Sequence, residues 1–565
     1  MATDAWIASL PPGLLLILAG AILTVTRGGL RSAILLAAPL ILLVWVWLLP
    51  DGEGRSFLWL GLELTPVRVD ALSRLFATVF AVIGFAGSLF ALKQERSSEL
   101  ASALIYSGAA IGVIFAGDLI TVFVFWEVMA VASTLVVLAG GAGARAAAQR
   151  YIVIHLFGGV LLMAGIAGYV GETGSTAFDL LYGESYARWL ILAGFLLNAG
   201  AWPLSAWLPD AYPRASWSGT VFLSAFTTKT AVYVLIRGFA GEEILVWLGM
   251  IMAFYGIIYA ILENDMRRIL AYSIVNQVGF MVVGIGIGTE MAVNGAAAHA
   301  FAHIIYKALL LMSAGSVLLM TGKQKCSDLG GLFRTMPLTT VCGIIGALSI
   351  SSFPLTSGFI SKSMISQGAA DEHMATVWLL LAAASAGVFL HAGIKFPWFV
   401  FFQKDSGLRP DDPPWNMRAA MVLFSALCIG LGIAPSYLYA LLPNPVAFVP
   451  YTATHVVFQL QLLLFSGLAF FLMLGWLKRT LTITLDVDWV WRKAGVWLLA
   501  AADRAADATG KFVAQWMLLA ARTFSGRLFE HHGPEGVFGR TWRTGSMAFW
   551  MTLMLGAYLL LSYAA

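Results

Sequence analysis

The sequence predicts an all-α, polytopic membrane protein, and three observations carry that reading. Of its 565 residues 60% are hydrophobic and only 11% are charged, against about 25% charged in an average soluble chain. The mean hydropathy is +0.84, and apolar runs of roughly the 20 residues needed to cross a bilayer follow one another almost end to end. Those runs are continuously apolar, without a two-residue alternation, which excludes a transmembrane β-barrel.

Taken in order, the runs define sixteen candidate spans: 6–26, 31–50, 70–93, 99–117, 118–140, 148–170, 188–208, 216–239, 243–263, 268–289, 294–321, 337–366, 375–403, 415–442, 452–477 and 543–563. The first is read as a membrane helix and not as a signal peptide. "MATDAW" has no basic residue, and no small-residue cleavage site with a soluble domain follows. Most connections are short. The exception runs from Leu481 to Thr544, where Arg492, Lys493, Asp503, Arg504, Asp507, Lys511 and Arg522 punctuate turns of Trp, Val, Leu and Phe. That pattern predicts an amphipathic helix lying along the membrane surface or the flank of the protein, as an anchor or as a strap.

Lys and Arg collect in every second loop: Arg27 and Arg31; Lys93 and Arg96; Arg145 and Arg150; Arg267 and Arg268; Lys323, Lys325 and Arg334; Lys404, Arg409 and Arg418; Lys478 and Arg479. The intervening loops lean acidic or mixed, as at Glu172, Asp179 and Glu184, or Asp371 and Glu372. By the positive-inside rule both termini fall on the outer face and the long interval on the cytoplasmic side. Cys326, Cys342 and Cys428 form no CxxC or Cys/His cluster, so disulfide frameworks, iron–sulfur ligation and structural zinc have no support. No phosphate-binding loop is present, and nothing in the charge pattern points to nucleic acid.

An internal echo appears between spans seven and twelve. "AWPLSAWLPDA" and "SFPLTSGFISK" each place a Pro-Leu-Ser/Thr break inside an apolar run: Pro203, Leu204 and Ser205 against Pro354, Leu355 and Thr356. Five spans separate them, so the two units would be inverted relative to the membrane. Inverted repeats with broken helices mark transporters with a path near the midplane.

The chemistry-bearing residues stand inside the spans. A charge at the bilayer centre costs at least about 2.5–3.5 kcal/mol. Span five nevertheless carries Glu127, in "TVFVFWEVMAVAS". Span six has His155, span eight Lys229, span twelve Lys362, and span thirteen His391 and Lys395. In span eleven His299, His303 and Lys307 recur at i, i+4 and i+8, along one face of a helix. A structural staple between helices is the plain reading of any one of them, His155 above all. Staples do not need lysines, since Ser, Thr and Asn bridge helices at lower cost. Lysines and histidines bring a proton that can leave. Such a series, bridged by water, reads as a lateral proton relay. His299 and His303 followed by a cationic lysine make a poor metal set, and both on one face suit a haem badly. No metal and no cofactor are expected.

The segments "FVFWEVMAVAS", "WLPDAYPRAS", "TTKTAVYVLIR", "RRILAYSIVNQVGFMVVGIGIG", "AHAFAHIIYKALLLMSAG" and "FPLTSGFISK" together resemble the antiporter-like family, over about residues 65–440 and in the family's order. That family holds the D and A subunits of Mrp-type cation/proton antiporters and the large proton-pumping subunits of respiratory complex I. The D type looks closest, while the C-terminal interval, with "LDVDWVWRKAG", looks like the lateral helix of the largest complex I member. The resemblance implies two inverted five-helix bundles, spans four to eight and nine to thirteen. It divides the chain into N-terminal helices 1–98, bundles 99–241 and 242–403, C-terminal helices 404–480, the lateral helix 481–544 and a final span 545–565. It implies a proton route through Glu127, Lys229, His299, His303 and Lys307 towards Lys362 or Lys395.

One departure stands out. The lysine the family usually carries in span seven is Asn198 here, and the histidine of its Pro-Leu-His is Ser205. Asn carries no proton, which leaves three expectations open: Glu127 pairs with Lys229 instead, the first half has lost autonomous proton transfer, or it handles a different ion. An ion pair at ~4 Å in an effective dielectric near 20 is worth about 4 kcal/mol, which corresponds to roughly three pKa units.

The function implied is proton translocation in a multi-subunit monovalent cation (Na+)/proton antiporter of the plasma membrane, among other membrane subunits and without a cofactor. The alternatives are a proton-pumping subunit of a complex I-like or hydrogenase-type redox complex and a membrane subunit of an inorganic-carbon uptake complex. Asp118 and Asp210 are the sodium-site candidates, with helix capping and loop solvation as their plain reading.

Overall fold

The computed structural model describes residues 10–477 and 485–564; the start of the 6–26 span and Lys478 and Arg479 lie outside them. Fourteen of its helices are long and apolar enough to cross a membrane. Two further predicted spans appear as shorter pieces: α1 (Gly13–Leu23), and the pair α13 (Pro337–Ile350) and α14 (Ser357–Asp371).

After α1 and α2 (Gly28–Leu48), residues 52–69 depart from the all-helical expectation. They fold into two small antiparallel ladders, β1 (Gly52–Glu53) with β4 (Arg68–Val69) and β2 (Phe57–Trp59) with β3 (Leu62–Leu64). "FLWLGLEL" was legible as strand, turn and strand. Leu60 and Gly61 both take positive φ, 51° and 82°, as a two-residue hairpin turn requires.

The first five-span set begins after α3 (Ala71–Phe90). It comprises α4 (Ser97–Phe115), α5 (Leu119–Leu138), α6 (Arg145–Thr173), the broken α7 (Tyr186–Ala199), and α8 (Gly219–Ala225) with α9 (Thr227–Phe239). The second comprises α10 (Ile244–Leu262), α11 (Met266–Ile287), α12 (Glu290–Thr321), the broken pair α13 and α14, and α15 (Ala375–Val388). Then follow α16 (Trp415–Ile433) and α17 (Ala453–Leu472).

Both proline-marked breaks fall where the sequence puts them. α7 stops at Gly200, whose φ of 74° suits the left-handed cap, and short turns carry the chain through Pro203 to Arg214. α13 stops at Ile350, and Ser352 and Leu355 take φ of 58° and 68° before α14 starts. Non-glycine residues rarely hold that conformation, so the second break stores local strain. Two further interruptions were not predicted. α8 and α9 are separated at Phe226, and α15 loosens into π-helical turns over Phe389–Lys395.

α12 is the hub of this body. It packs against α3, α8, α9, α11, α13, α14 and α16, and His299, His303 and Lys307 on it are completely buried. Capping and ion pairs fix the ends. Asp118 caps α5 by accepting from Thr121 N and Oγ1, both at 2.7 Å, and from Thr65 N at 2.9 Å. Asp210 is held by Arg150 through two bonds of 2.7 and 2.9 Å. Neither sodium-site candidate is therefore an idle carboxylate. Asp70 caps α3 and takes Arg237 Nη2 of α9 at 2.8 and 3.0 Å. Burial pushes the Asp70 carboxyl up, but Arg237, the Ser73 amide and Arg68 outweigh it and hold it below the usual aspartate value.

Val487–Ala565 forms a second unit. α18 (Asp488–His532) is one continuous helix of 45 residues, with i,i+4 pairs Asp488–Arg492 at 2.5 Å and Asp507–Lys511 at 2.9 Å. α19 (Thr544–Ala564) follows it. Of the predicted lateral interval, residues 481–484 lie outside the described residues.

Candidate functional site: a buried series of lysines and histidines

Lys229 is fully buried, two residues into α9. Its Nζ donates to Ser224 O at 2.8 Å and Thr228 Oγ1 at 3.0 Å. The Ser224 carbonyl is available because the helix is interrupted beyond it. Lys362, in the second turn of α14, donates to Ile350 O at 2.7 Å, the last carbonyl of α13, and sits 5.0 Å over the Phe280 ring. Lys395 donates to Ala260 O at 3.1 Å, Glu263 O at 2.5 Å and also Ile261 O. These are the carbonyls at the C-terminus of α10, so Lys395, expected in the relay, occupies a capping position. Lys307 is held least: Ser273 Oγ of α11 at 2.8 Å, and Leu270 O only at 3.4 Å.

All four ammonium groups therefore rest on neutral acceptors. Among the described residues none is in an ion pair. The expected Glu127–Lys229 pair is not formed, because the bent backbone at Phe226 satisfies Lys229 locally. Glu127 is half-buried on α5, and its Oε1 is buried without a hydrogen-bond partner. That oxygen lies against Gly159 of α6, 2.0 Å from where a Cβ would stand.

His155 lies one helical turn from Gly159 on the same face of α6. Its Nδ1 donates to Asn198 Oδ1 at 2.8 Å, and its ring sits 4.1 Å from Tyr151 and 4.7 Å edge-on to Trp207. The fold thus brings together the residue that replaces the family lysine and the histidine with the plainest reading. His155 Nε2, Asn198 Nδ2, Ser205 Oγ and Trp126 Nε1 are all buried without a protein partner. Buried polar atoms are nearly always hydrogen-bonded, so the bonded pair His155 and Asn198, each with a further unmet nitrogen, marks a place for internal water.

In the second set, His299 Nδ1 meets Ser361 Oγ at 3.0 Å. Its Nε2 faces Gln277 Oε1 at 3.2 Å and Tyr306 OH at 3.3 Å, and Tyr306 OH also reaches Gln277 Oε1 at 3.0 Å. A neutral Nε2 can accept from the tyrosine, and a protonated one can donate to the amide oxygen. The imidazole finds a partner in either charge state. His303 has neither ring nitrogen bonded to protein, although it is fully buried. His391 donates Nδ1 to Gly387 O at 2.9 Å and leaves Nε2 without a protein partner.

The sequence reading missed the neutral residues that hold this series: Ser224, Ser273, Gln277, Tyr306 and Ser361. A signal existed for Gln277, a glutamine with Asn276 beside it in the middle of an apolar span.

The family described as NADH:quinone oxidoreductase/Mrp antiporter, TM matches residues 116–389. The Na(+)/H(+) antiporter D subunit of Alkalihalophilus pseudofirmus is 30% identical over 437 residues, 71% of this chain and 88% of that protein. The probable K(+)/H(+) antiporter A/B subunit of Rhizobium meliloti is 28% identical over 410 residues, 67% of this chain, and the match spans only 41% of its greater length. Among solved structures, a chain of the Mrp complex from Dietzia sp. superposes with a TM-score of 0.69 at 21% identity, over 83% of this chain and 99% of that one. A chain of the membrane-bound sulfane sulfur reductase, an archaeal respiratory membrane complex, gives 0.70 at 23%, over 97% and 99%. At these identities the two structures show a shared fold. The likeness to the Alkalihalophilus protein reaches further, and the chain belongs to the NADH:quinone oxidoreductase/Mrp antiporter transmembrane family.

Proposed function

We propose that this chain is the proton-translocating membrane subunit of an antiporter, built from several different chains, that exchanges protons for a monovalent cation, Na+ first among the candidates. The observation that supports this reading is the buried series itself: Lys229, Lys307 and Lys362 held by neutral acceptors, alongside imidazoles whose free nitrogens need water. An ammonium locked to a carboxylate is tied to its proton. One resting on carbonyls and hydroxyls has no counter-charge to leave behind when the proton goes.

In this reading Lys229 and Lys307 are proton stations on either side of His303, and water completes the bridge. His299 links the row to Ser361 on α14 and so towards Lys362, and His391 is a side branch. Lys395 caps α10. Glu127, with His155 and Asn198 in the same hydrated region, is the first acceptor of the first set. The bundles are 99–241 and 242–403, flanked by 1–98 and 404–480, with 481–544 as a lateral helix and 545–565 as a final span. The proposed location is the plasma membrane, with both termini outside and the Arg- and Lys-rich loops inside. The proposed partners are further membrane subunits of an Mrp-like assembly.

The deciding experiment is Lys307→Ala in the assembled complex. Cation-driven proton movement in inverted vesicles should vanish while assembly persists. Undiminished exchange overturns the relay. A second reading, a proton-pumping subunit of a redox complex, draws on the fold likeness over 97% of the chain to the sulfane sulfur reductase and on the 45-residue α18. Co-purification in mild detergent separates the two: small membrane subunits favour the antiporter, and iron–sulfur subunits favour the redox complex.

A further inference from the structure

Between α14, α15 and α17 the structure holds a cavity of about 160 Å3. Lys362 forms part of its wall, with Ser352, Gln367, Ser385, His455 and Gln459. α17 lies beyond the 116–389 family match, and its histidine has no part in the series described above.

Three features set His455 apart from a packing residue. Its Nδ1 lies 2.7 Å from Pro450 O, and a carbonyl only accepts, so Nδ1 carries the hydrogen and Nε2 holds the free lone pair. Its ring stacks on Phe359, centroids 4.6 Å apart and planes at 21°, which fixes its orientation. Phe359 and Lys362 are i and i+3 on α14, one face of one turn. One turn along α17, Gln459 Nε2 donates to Ser351 O at 3.2 Å, beside the Ile350 carbonyl that holds Lys362. α17 is thus fastened to the break at which Lys362 sits.

The cavity is polar enough for water. Ser352 Oγ is buried without a protein partner, and the volume admits several waters with polar walls to hold them. Lys362 and His455 are the titratable groups in the wall. α15 contributes no charge there, and Tyr451, also stacked on Phe359, donates its hydroxyl to Gly432 O. At the rim, Gln367 donates to Asp371 Oδ1 at 2.7 Å.

We propose that this cavity is the aqueous terminus of the proton path on the side of Asp371, and that His455 exchanges protons with Lys362 there. The inference rests on the relay reading above. The Lys362 ammonium gives a proton through bridging water to His455 Nε2, leaving a neutral amine and an imidazolium. The imidazolium releases that proton to bulk water, and the amine is recharged from the relay. The reverse sequence loads it, and net charge is conserved at each step.

The test uses the assembled complex in sealed membrane vesicles. The three native cysteines are buried, so a thiol at Ser366→Cys can be read alone. A membrane-impermeant maleimide added on the Asp371 side should label it and slow exchange. Labelling only from the opposite side, or none, overturns the terminus. His455→Gln should lower the exchange rate on the order of 10²-fold, the low end of what a positioned proton-transfer group contributes. Added imidazole should restore much of the rate, which it cannot do for a merely misfolded chain. His455→Phe keeps the stack on Phe359 and should be as slow as His455→Gln. Wild-type rates in both variants, or loss without imidazole rescue, overturn the role of His455. If Lys307→Ala still exchanges, the relay itself has failed; if it is inactive while the His455 variants run normally, only this inference has.

Discussion

Gly159→Ala tests whether the Glu127 carboxylate works from where it sits. A Cβ at position 159 falls 2.0 Å from Glu127 Oε1 and 2.9 Å from its Cδ. Ordinary contact begins at 3.4 Å, so the oxygen must retreat by about 1.4 Å, the difference between those distances. The atom in the way is the end of a flexible side chain, so the backbone can stay in place. Replacing a mid-helix glycine with alanine also favours the helix by roughly 0.5–1 kcal/mol. Stability should hold or rise. Function should not, because proton transfer needs partners within about 2.6–3.2 Å, directly or through one water. A misplacement of about 1 Å costs on the order of 10²-fold. The assay is dequenching of a pH-sensitive dye in inverted vesicles on addition of Na+ or K+, normalised to inserted protein. Gly171→Ala, on the same helix, meets nothing within 4 Å and sets the baseline. Wild-type exchange by a normally inserted Gly159→Ala protein refutes the assignment of Glu127.

Two further predictions concern stability. The folded-state depression at Asp70 gives a contribution that is full above the ordinary aspartate value of 3.8 and disappears as pH falls through the lower folded value. Asp70→Asn keeps the cap but not the charge. It should cost about 1 kcal/mol at pH 7, between exposed and buried pairs. Thermal unfolding in detergent should show that gap closing at pH 3, and an equal gap at both pH values contradicts the ion pair with Arg237. Lys395→Met strips a donor from three carbonyls at the end of α10, at a cost of about 1–3 kcal/mol. Exchange per inserted molecule should persist, and loss of exchange without loss of stability would return Lys395 to the relay.

The sequence made the spans and the proline breaks legible because each rests on local chemistry: a continuous apolar run, or a ring that forbids a helical hydrogen bond. The row on α12 was legible because imidazole and ammonium stand out against Ala, Leu and Ile. The break at Phe226 was not legible, because it carries no proline, whereas the π-helical loosening from Phe389 has Pro397 just beyond Lys395, a ring without an amide hydrogen that the reading did not use. The Glu127–Lys229 pair failed for a related reason. Both charges were visible, but which acceptor a lysine finds depends on backbone carbonyls that the one-dimensional pattern does not show. Asn198 drew notice as an amide where a lysine was expected, while its bond to His155 required the packing of α6 against α7.

The lysines and the helix interruptions belong together on physical grounds. An ammonium carries three donors and accepts nothing, and in a low-dielectric interior each unmet donor is costly. An intact helix offers almost no carbonyl, since its own amides take them. Interruptions release carbonyls, and three of the four buried lysines sit on such groups: Lys229 on Ser224 O, Lys362 on Ile350 O and Lys395 on the end of α10. Lys307 is different. α11 runs unbroken past it, and its one close partner is the Ser273 hydroxyl at 2.8 Å. A hydroxyl can turn to donate once the lysine is neutral, whereas a carbonyl cannot. Lys229 shares that property through the Thr228 hydroxyl at 3.0 Å, whereas Lys362 rests on a carbonyl alone. A neutral amine still has two N–H groups to donate, so each lysine can keep its carbonyl in either charge state, and what a hydroxyl partner adds is a donor for the lone pair that discharge exposes.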